Sequence, residues 1–397
     1  MKKILYVSGS IGLGHVPRDL AIIRELRKQC AELDVSWLAA SPAADVIRES
    51  GEKLLPECEL YQNENLSAEL SSQGFNLNLI YYTMKARKPW DTNVEVFKQV
   101  ANEGMYDLII GDETYEISTA LKKHPELKKF KFIMIYNLVG VDSMSSSPIE
   151  KLGAYYWNRI WSLGYGKTSS HFDLGIFVGE EEDIPDRKFG FLLPNRRDYA
   201  REKYKFVGYI INFNPGEYRD KEKIRRQLGY GSEPLLICSI GGTSIGKELL
   251  NLCGNSYPIL KESIPDLRMI LVCGPRLSPD ALTVPLGVEI KTYIPDLYQH
   301  FAAADCAVVQ GGHSSTMELT ALRRPFLYFP LEGHCEQQLY IPARLQRHRA
   351  GIQMDYSQTT PDMLAEKIVS IFGTEPRYAD IPLDGAQKAA ALIKQIL

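Results

Sequence analysis

No two of the seven cysteines in this 397-residue chain form a C-x-x-C pair. They stand at 30, 58, 238, 253, 273, 306 and 335, an odd, scattered set lying mostly in apolar runs. That pattern predicts reduced, buried thiols and a reducing, cytoplasmic setting rather than a disulfide framework. Any stretch of 18 uninterrupted apolar residues is also missing, so no transmembrane helix is expected. The start, Met1 to Val7, reads as a first strand and not as a signal peptide. Charge of one sign is not in excess: 46 Lys and Arg against 49 Asp and Glu leave a net charge of -3. A broad polyanion-binding surface is therefore not indicated, and no nucleic-acid partner is expected. Metal-ligand spacing is absent as well. There is no Asp-x-Asp pair, the histidines are scattered, and Glu180-Glu-Glu-Asp183 reads as a solvated turn. Neither a metal nor a cofactor is expected.

What is present is an α/β alternation, twice. Ile4–Val7 is a strand, followed by a glycine loop and a helix with Leu20, Ile23 and Leu26 on one face. Further strands are expected at 34–40, 107–110, 130–136 and 173–178, and helices at 43–50, 94–103 and 117–123. Residues 61–90 read as irregular, and 140–170 combine loop signals with an aromatic cluster. After a charged segment at 217–226 the alternation restarts, with strands at 235–240, 269–272, 288–291, 307–309 and 326–329. This predicts an N-terminal domain over 1–210, a C-terminal domain over 211–380, and a last helix within 381–397.

The loops that follow these strands carry the chemistry. Gly12-Leu-Gly14-His15 lacks the third glycine of the dinucleotide fingerprint, because Pro17 stands there, and Gly14 is counted among the donor-binding candidates. His15 is either a helix-end residue or a general base, for which an ordinary pKa near ~6.5 suits it. Asp112 ends another strand. It either caps the next helix or bonds the second imidazole nitrogen, and Glu113 competes for that role. Gly241, Gly242, Thr243 and Ser244 resemble a phosphate cradle without the Lys-Ser/Thr of a P-loop. Tyr293 and Ile294 leave another strand. Gln310, Gly311, Gly312, His313, Ser314, Ser315 and Thr316 join a strand to a helix start, an arrangement that binds anions. Glu318, one to two turns in, could accept bonds from ribose hydroxyls. Glu336 and Gln337, after the 326–329 strand, suit a polyhydroxyl ligand.

In this order the motifs resemble the GT-B glycosyltransferases, and most of all family 28 (MurG-like) and the family 1 UDP-glycosyltransferases. The match is clearest over 4–30 and 235–345. The resemblance implies two Rossmann-like domains with parallel sheets facing across a cleft, and a last helix that packs back on the first domain. It implies a metal-independent, inverting hexosyltransferase that uses a UDP- or dTDP-linked sugar. His15 would be the base and Asp112 its partner. Ile294 would lie at the nucleobase, Thr243 and Ser315 at the phosphates, Glu318 at the ribose, and Glu336 and Gln337 at the sugar. Gln310 departs from the family, where many relatives carry His or Arg. The acceptor is left open between glycan, lipid and small aglycone, with peripheral contact at the inner face of a membrane as one setting. A UDP-sugar 2-epimerase and a non-catalytic sugar-nucleotide-binding protein of the same architecture are the alternatives.

Overall fold

The computed structural model describes residues 1–9, 13–166 and 171–397, so Gly12 of the first loop lies outside the described residues. The chain forms two compact units. One comprises Met1–Ser71, Leu79–Asn212 and Pro382–Leu397, the other Ser72–Asn78 and Phe213–Ile381.

The first unit is built on strands β1 (Lys2–Val7), β2 (Leu33–Leu38), β3 (Lys53–Leu54), β4 (Leu108–Asp112), β5 (Lys131–Tyr136), β6 (Leu174–Val178) and β7 (Tyr204–Gly208). All pair in parallel, in the order β3-β2-β1-β4-β5-β6-β7. Successive side chains serve opposite faces. Ile4, Tyr6, Ile110 and Ile133 pack with Ile22 and Leu26 of helix α1 (His15–Gln29) and Ile393 of the helix Gly385–Ile396. Leu5, Val7, Ile109 and Phe132 pack on the other side with Phe97 and Ile117. Because both faces are covered, the strands read as continuous apolar runs rather than alternating ones.

Two helices differ from the sequence expectation. Helix α2 runs from Leu79 to Gly104, 26 residues, straight through Pro89, where the chain was expected to stay irregular up to residue 90. Proline removes one backbone donor and normally marks a boundary. Here a continuous buried face of Ala86, Asn93, Val96, Phe97 and Val100 outweighs that loss. After helix α3 (Tyr115–Lys123), the aromatic cluster turns out to lie on a helix, α4 (Pro148–Ser162), capped by the Ser147 side chain accepting from Glu150 N–H. Trp161 is packed among Tyr115, Tyr136 and Tyr204, whereas Tyr156 is 59% exposed.

The second unit has strands β8 (Leu235–Ser239), β9 (Arg268–Val272), β10 (Glu289–Lys291), β11 (Cys306–Gln310), β12 (Phe326–Phe329) and β13 (Ile352–Gln353). They form a parallel sheet in the order β10-β9-β8-β11-β12-β13. Helix α5 (Lys247–Ser263) follows β8, α6 (His313–Ala321) follows β11, and α7 (Ile341–Arg347) precedes β13. The hairpin of strands Ser72–Gln73 and Asn76–Leu77 belongs to this unit. Leu77 N–H donates to Glu332 O at 2.8 Å. Gly333 sits beneath it with φ +76, where a Cβ would stand 2.1 Å from Leu77 O. Only glycine meets both demands.

Candidate functional site

Each sheet reverses its direction of growth once. In the first unit the chain lays down β1, β2 and β3 outward and then returns to place β4 beside β1. In the second it lays down β8, β9 and β10 and returns to place β11 beside β8. Ligands of open α/β sheets bind at such switch points, beyond the carboxyl ends of the strands. His15 follows β1 and Asp112 ends β4. The turn 241–246 follows β8, and Gln310–Ser315 follows β11. All four features therefore stand at switch points.

In the first unit Gly14 precedes α1 as its N-cap residue, and His15 opens the helix, 8% exposed. Its Nδ1 lies 3.0 Å from Asp112 Oδ2. Gly9 makes room for the ring: a Cβ there would be 3.0 Å from His15 Cγ and Nδ1. Sequence reasoning missed Arg18. Its Nε donates to Asp112 Oδ2 at 2.9 Å, Nη2 donates to Oδ1, and Nη2 also lies 2.8 Å from His15 Nδ1. The available signal was its i+3 spacing from His15, which places both on one helix face. Asp19 was missed as well. It is fully buried and accepts from Tyr6 OH at 2.8 Å and Ser8 Oγ at 2.6 Å. Glu113, in the left-handed region at φ 51, brings Oε2 to 3.6 Å from His15 Nε2. The two carboxylates thus flank the ring on opposite nitrogens.

The electrostatics follow from burial and these neighbours. Burial pushes Asp112 up, but Arg18 and His15 more than reverse this and hold it well below the usual carboxylate range. Burial and the Asp112 charge hold Asp19 well above that range. Burial lowers His15, the Asp112 charge overrides it, Arg18 opposes, and the ring ends above its ordinary value. His15 Nδ1 faces both Asp112 Oδ2 and Arg18 Nη2. In the tautomer that carries its proton on Nδ1, donation to Asp112 leaves the Nε2 lone pair able to accept a proton.

In the second unit the 241–246 turn and the start of α6 are tied together. The Gln310 amide, oriented to satisfy both neighbours, donates to Ile240 O at 2.9 Å and Ile245 O at 3.0 Å. Gly274, at φ +78, lets the β9 exit approach Gly241, whose carbonyl oxygen would stand 2.1 Å from a Cβ there. Gly242, Thr243 and Ser244 complete that turn. Gly311 and Gly312 form the turn into α6, with Gly312 as N-cap and no side-chain cap, and His313, Ser314 and Ser315 make the first helical turn. Thr316 is fully buried and spends its hydroxyl on Gly312 O at 2.7 Å and His313 O at 3.0 Å, so it shapes the turn rather than facing it.

Glu318 is partly buried, and among the described residues its carboxylate makes no hydrogen bond or ion pair. Burial, with a contribution from Asp296, pushes it up to about 8. Asp296 is the N-cap residue, without a side-chain cap, of the helix Leu297–Ala303, which packs against α6, so the loop carrying Tyr293 and Ile294 leads to the Glu318 side of the site. Tyr293 is 41% exposed, while Ile294 packs on the core of the sheet. Glu336 and Gln337 open a π-helical turn, Glu336–Tyr340, of the kind frequent at functional sites. Gln337 Oε1 accepts from Leu331 N–H at 2.9 Å, which holds the β12 exit to this turn. The structure thus gathers the donor-side candidates other than Gly14 on one sheet edge of the second unit, and Gly14 with His15 and Asp112 on one edge of the first.

A family model for the glycosyltransferase family 28 C-terminal domain matches residues 236–396. An uncharacterized glycosyltransferase of Methanosarcina acetivorans is 34% identical over 392 residues, covering 94% of this chain and 91% of that protein. The UDP-N-acetylglucosamine--N-acetylmuramyl-(pentapeptide) pyrophosphoryl-undecaprenol N-acetylglucosamine transferase of Methylorubrum extorquens is 28% identical over 181 residues, 41% of this chain and 48% of that protein. Among solved structures, the glycotransferase of kitacinnamycin superposes with a TM-score of 0.63 at 16% identity, over 100% of this chain and 99% of that one.

Proposed function

The chain belongs to the GT-B glycosyltransferases that resemble family 28, and from that premise we propose that it transfers a hexose, with inversion and without a metal, from a UDP- or dTDP-sugar to an acceptor hydroxyl. The observation that carries the donor half is Glu318: a partly buried carboxylate without a protein hydrogen bond among the described residues, one to two turns beyond a glycine-turn helix start. The helix N-terminus and its N–H groups attract the diphosphate, and Glu318 is placed to meet the ribose. In the transfer step the acceptor oxygen attacks the anomeric carbon and its proton passes to His15 Nε2. The bond from that carbon to the diphosphate oxygen breaks, and its electron pair leaves with the diphosphate. Thr243 and Ser315 serve the phosphates, and Glu336 and Gln337 the sugar. The UDP-sugar named for the Methylorubrum relative supports a uridine donor.

A thermal-shift screen of UDP, dTDP, GDP and their sugars tests the donor half. A true donor nucleotide at 100 times its dissociation constant should stabilise the fold by about 2.7 kcal/mol. No shift with any of them would sink the reading. Turnover of a nucleotide sugar with no acceptor present would favour a 2-epimerase instead.

An acceptor at a lipid surface is part of the same proposal. On α4, Ile149, Leu152 and Tyr156 are 72%, 69% and 59% exposed, beside exposed Lys151 and Arg159. On α2, Met84 is 69% exposed, beside exposed Lys85, Arg87 and Lys88. Trp90 and Trp157, with ring centroids 6.2 Å apart, join the two helices. Residues 79–90 and 151–162 contain no Asp or Glu. Apolar side chains ringed mainly by cations, with exposed Asp91 at the edge of the patch, fit an anionic bilayer. The protein should co-sediment with phosphatidylglycerol vesicles and not with phosphatidylcholine ones, and Leu152→Glu should release it. Equal binding to both vesicles would refute the surface.

A further inference from the structure

The hairpin of strands Ser72–Gln73 and Asn76–Leu77 lies in the one segment before residue 213 that belongs to the second unit. A two-stranded hairpin is marginally stable by itself, so docking gives it its shape. Gly74, at φ +57, makes the turn, and Phe75 beside it is 3% exposed. The Phe75 ring packs on that of Tyr356, centroids 4.9 Å apart, beyond the end of β13. Glu332 lies along the hairpin as the parallel partner of Asn76. Its N–H donates to Phe75 O at 3.2 Å, its carbonyl accepts from Leu77 N–H at 2.8 Å, and its Oε2 accepts from Asn76 Nδ2 at 3.3 Å. Both backbone groups of Glu332 and its carboxylate are thus engaged by the hairpin, 256 residues away in sequence.

Glu332 and Gly333 lead into the segment that carries Glu336 and Gln337. That segment is closed on itself at its base, where Gln337 Oε1 accepts from Leu331 N–H at 2.9 Å and Gln338 N–H donates to His334 O at 2.9 Å. Its outer limb is held by the hairpin, through Glu332 and through the close approach of Leu77 O to Gly333. We propose that the hairpin is a positioning element for the donor sugar: by gripping Glu332 and Gly333 it fixes the place of Glu336 and Gln337 before the donor arrives. The inference rests on the sugar role proposed above for those two residues. Fixing the backbone of one residue costs roughly tenfold in an equilibrium constant. A loop ordered in advance by the hairpin avoids that cost at binding. The gain concerns the sugar and not the nucleotide, since the diphosphate is assigned to the 241–246 turn and the start of α6.

The experiment has two arms. Hydrogen–deuterium exchange reads the grip without any ligand. In Phe75→Ala, peptides covering 331–340 should exchange faster than in the native protein, while those of β8 keep their rate. Unchanged exchange at 331–340 would overturn the proposal. Calorimetry with UDP and with UDP-N-acetylglucosamine reads the consequence. Phe75→Ala should weaken the sugar nucleotide roughly 10-fold, the cost of ordering about one residue at binding, and leave UDP unchanged. Phe75→Leu, which keeps apolar bulk at the turn, should recover most of that affinity. Should Phe75→Ala fail to fold, Tyr356→Ala removes the same ring contact from a partly exposed position and carries the same test. A purely structural hairpin would weaken both ligands together, so equal losses, or none for the sugar nucleotide, would overturn the positioning role. A native protein that binds neither ligand would instead overturn the uridine donor, and the exchange arm would still decide the grip.

Discussion

Replacing His15 by alanine should lower turnover by about 100- to 10,000-fold, the usual contribution of a positioned general base, with nucleotide affinity unchanged. The separation is expected because His15 belongs to the first unit, while the donor-side residues other than Gly14 belong to the second. Steady-state rates and calorimetry on the same preparation check it, and a variant that turns over at the native rate would remove His15 as the base. The pH profile adds a second reading of the same residue. Only the neutral ring accepts a proton, so the rate should rise with pH through the pKa of His15. That pKa lies above the ordinary value of 6.5, because Asp112 overrides burial. Arg18 opposes protonation. Arg18→Met should therefore move the acid limb to higher pH and make the enzyme slower at neutrality. A limb that stays in place would leave Arg18 with a purely structural part.

The two sheets were legible because their strands are short apolar runs separated by glycine loops, and parallel sheets covered on both faces leave that signature. The residues at the strand ends were legible for a related reason: polar side chains at the exits of apolar runs have few structural uses. What escaped was whatever depends on contacts between distant segments. Pro89 marked a boundary by local rules, and only the buried face from Ala86 to Val100 shows why α2 continues. Arg18 escaped notice because its partner Asp112 lies 94 residues away in the sequence. Gln310 reads differently once its amide is located. It looked like a defect in a phosphate site, and it is the tie between the 241–246 turn and β11.

Asp112→Ala should cost about 3–5 kcal/mol of the first unit's stability, the range for breaking a buried ion pair from one side. Its side chain has no exposure, and that of Arg18 has 6%. Removing the carboxylate leaves the guanidinium buried without its two bonds, and leaves His15 without its acceptor. If desolvated charge is the cause, removing both charges should be milder than removing one. The pair Arg18→Met with Asp112→Leu should recover much of the loss, giving a large coupling in a double-mutant cycle. The readout can be confined to the relevant unit, because all four tryptophans (37, 90, 157 and 161) lie in the first one. Urea unfolding followed by tryptophan fluorescence therefore reports that unit alone. The pH dependence has a definite sign. Asp112 is depressed in the folded state, so its contribution is complete above the unfolded value of about 3.9 and drains away as pH falls toward the folded one. Native protein should accordingly lose stability on acidification below about pH 4, and Asp112→Ala should show a shallower acid slope. A single variant within about 1 kcal/mol of native, the ordinary scale for an exposed pair, would mean that water reaches Arg18 and that the His15 site is wetter than its burial indicates.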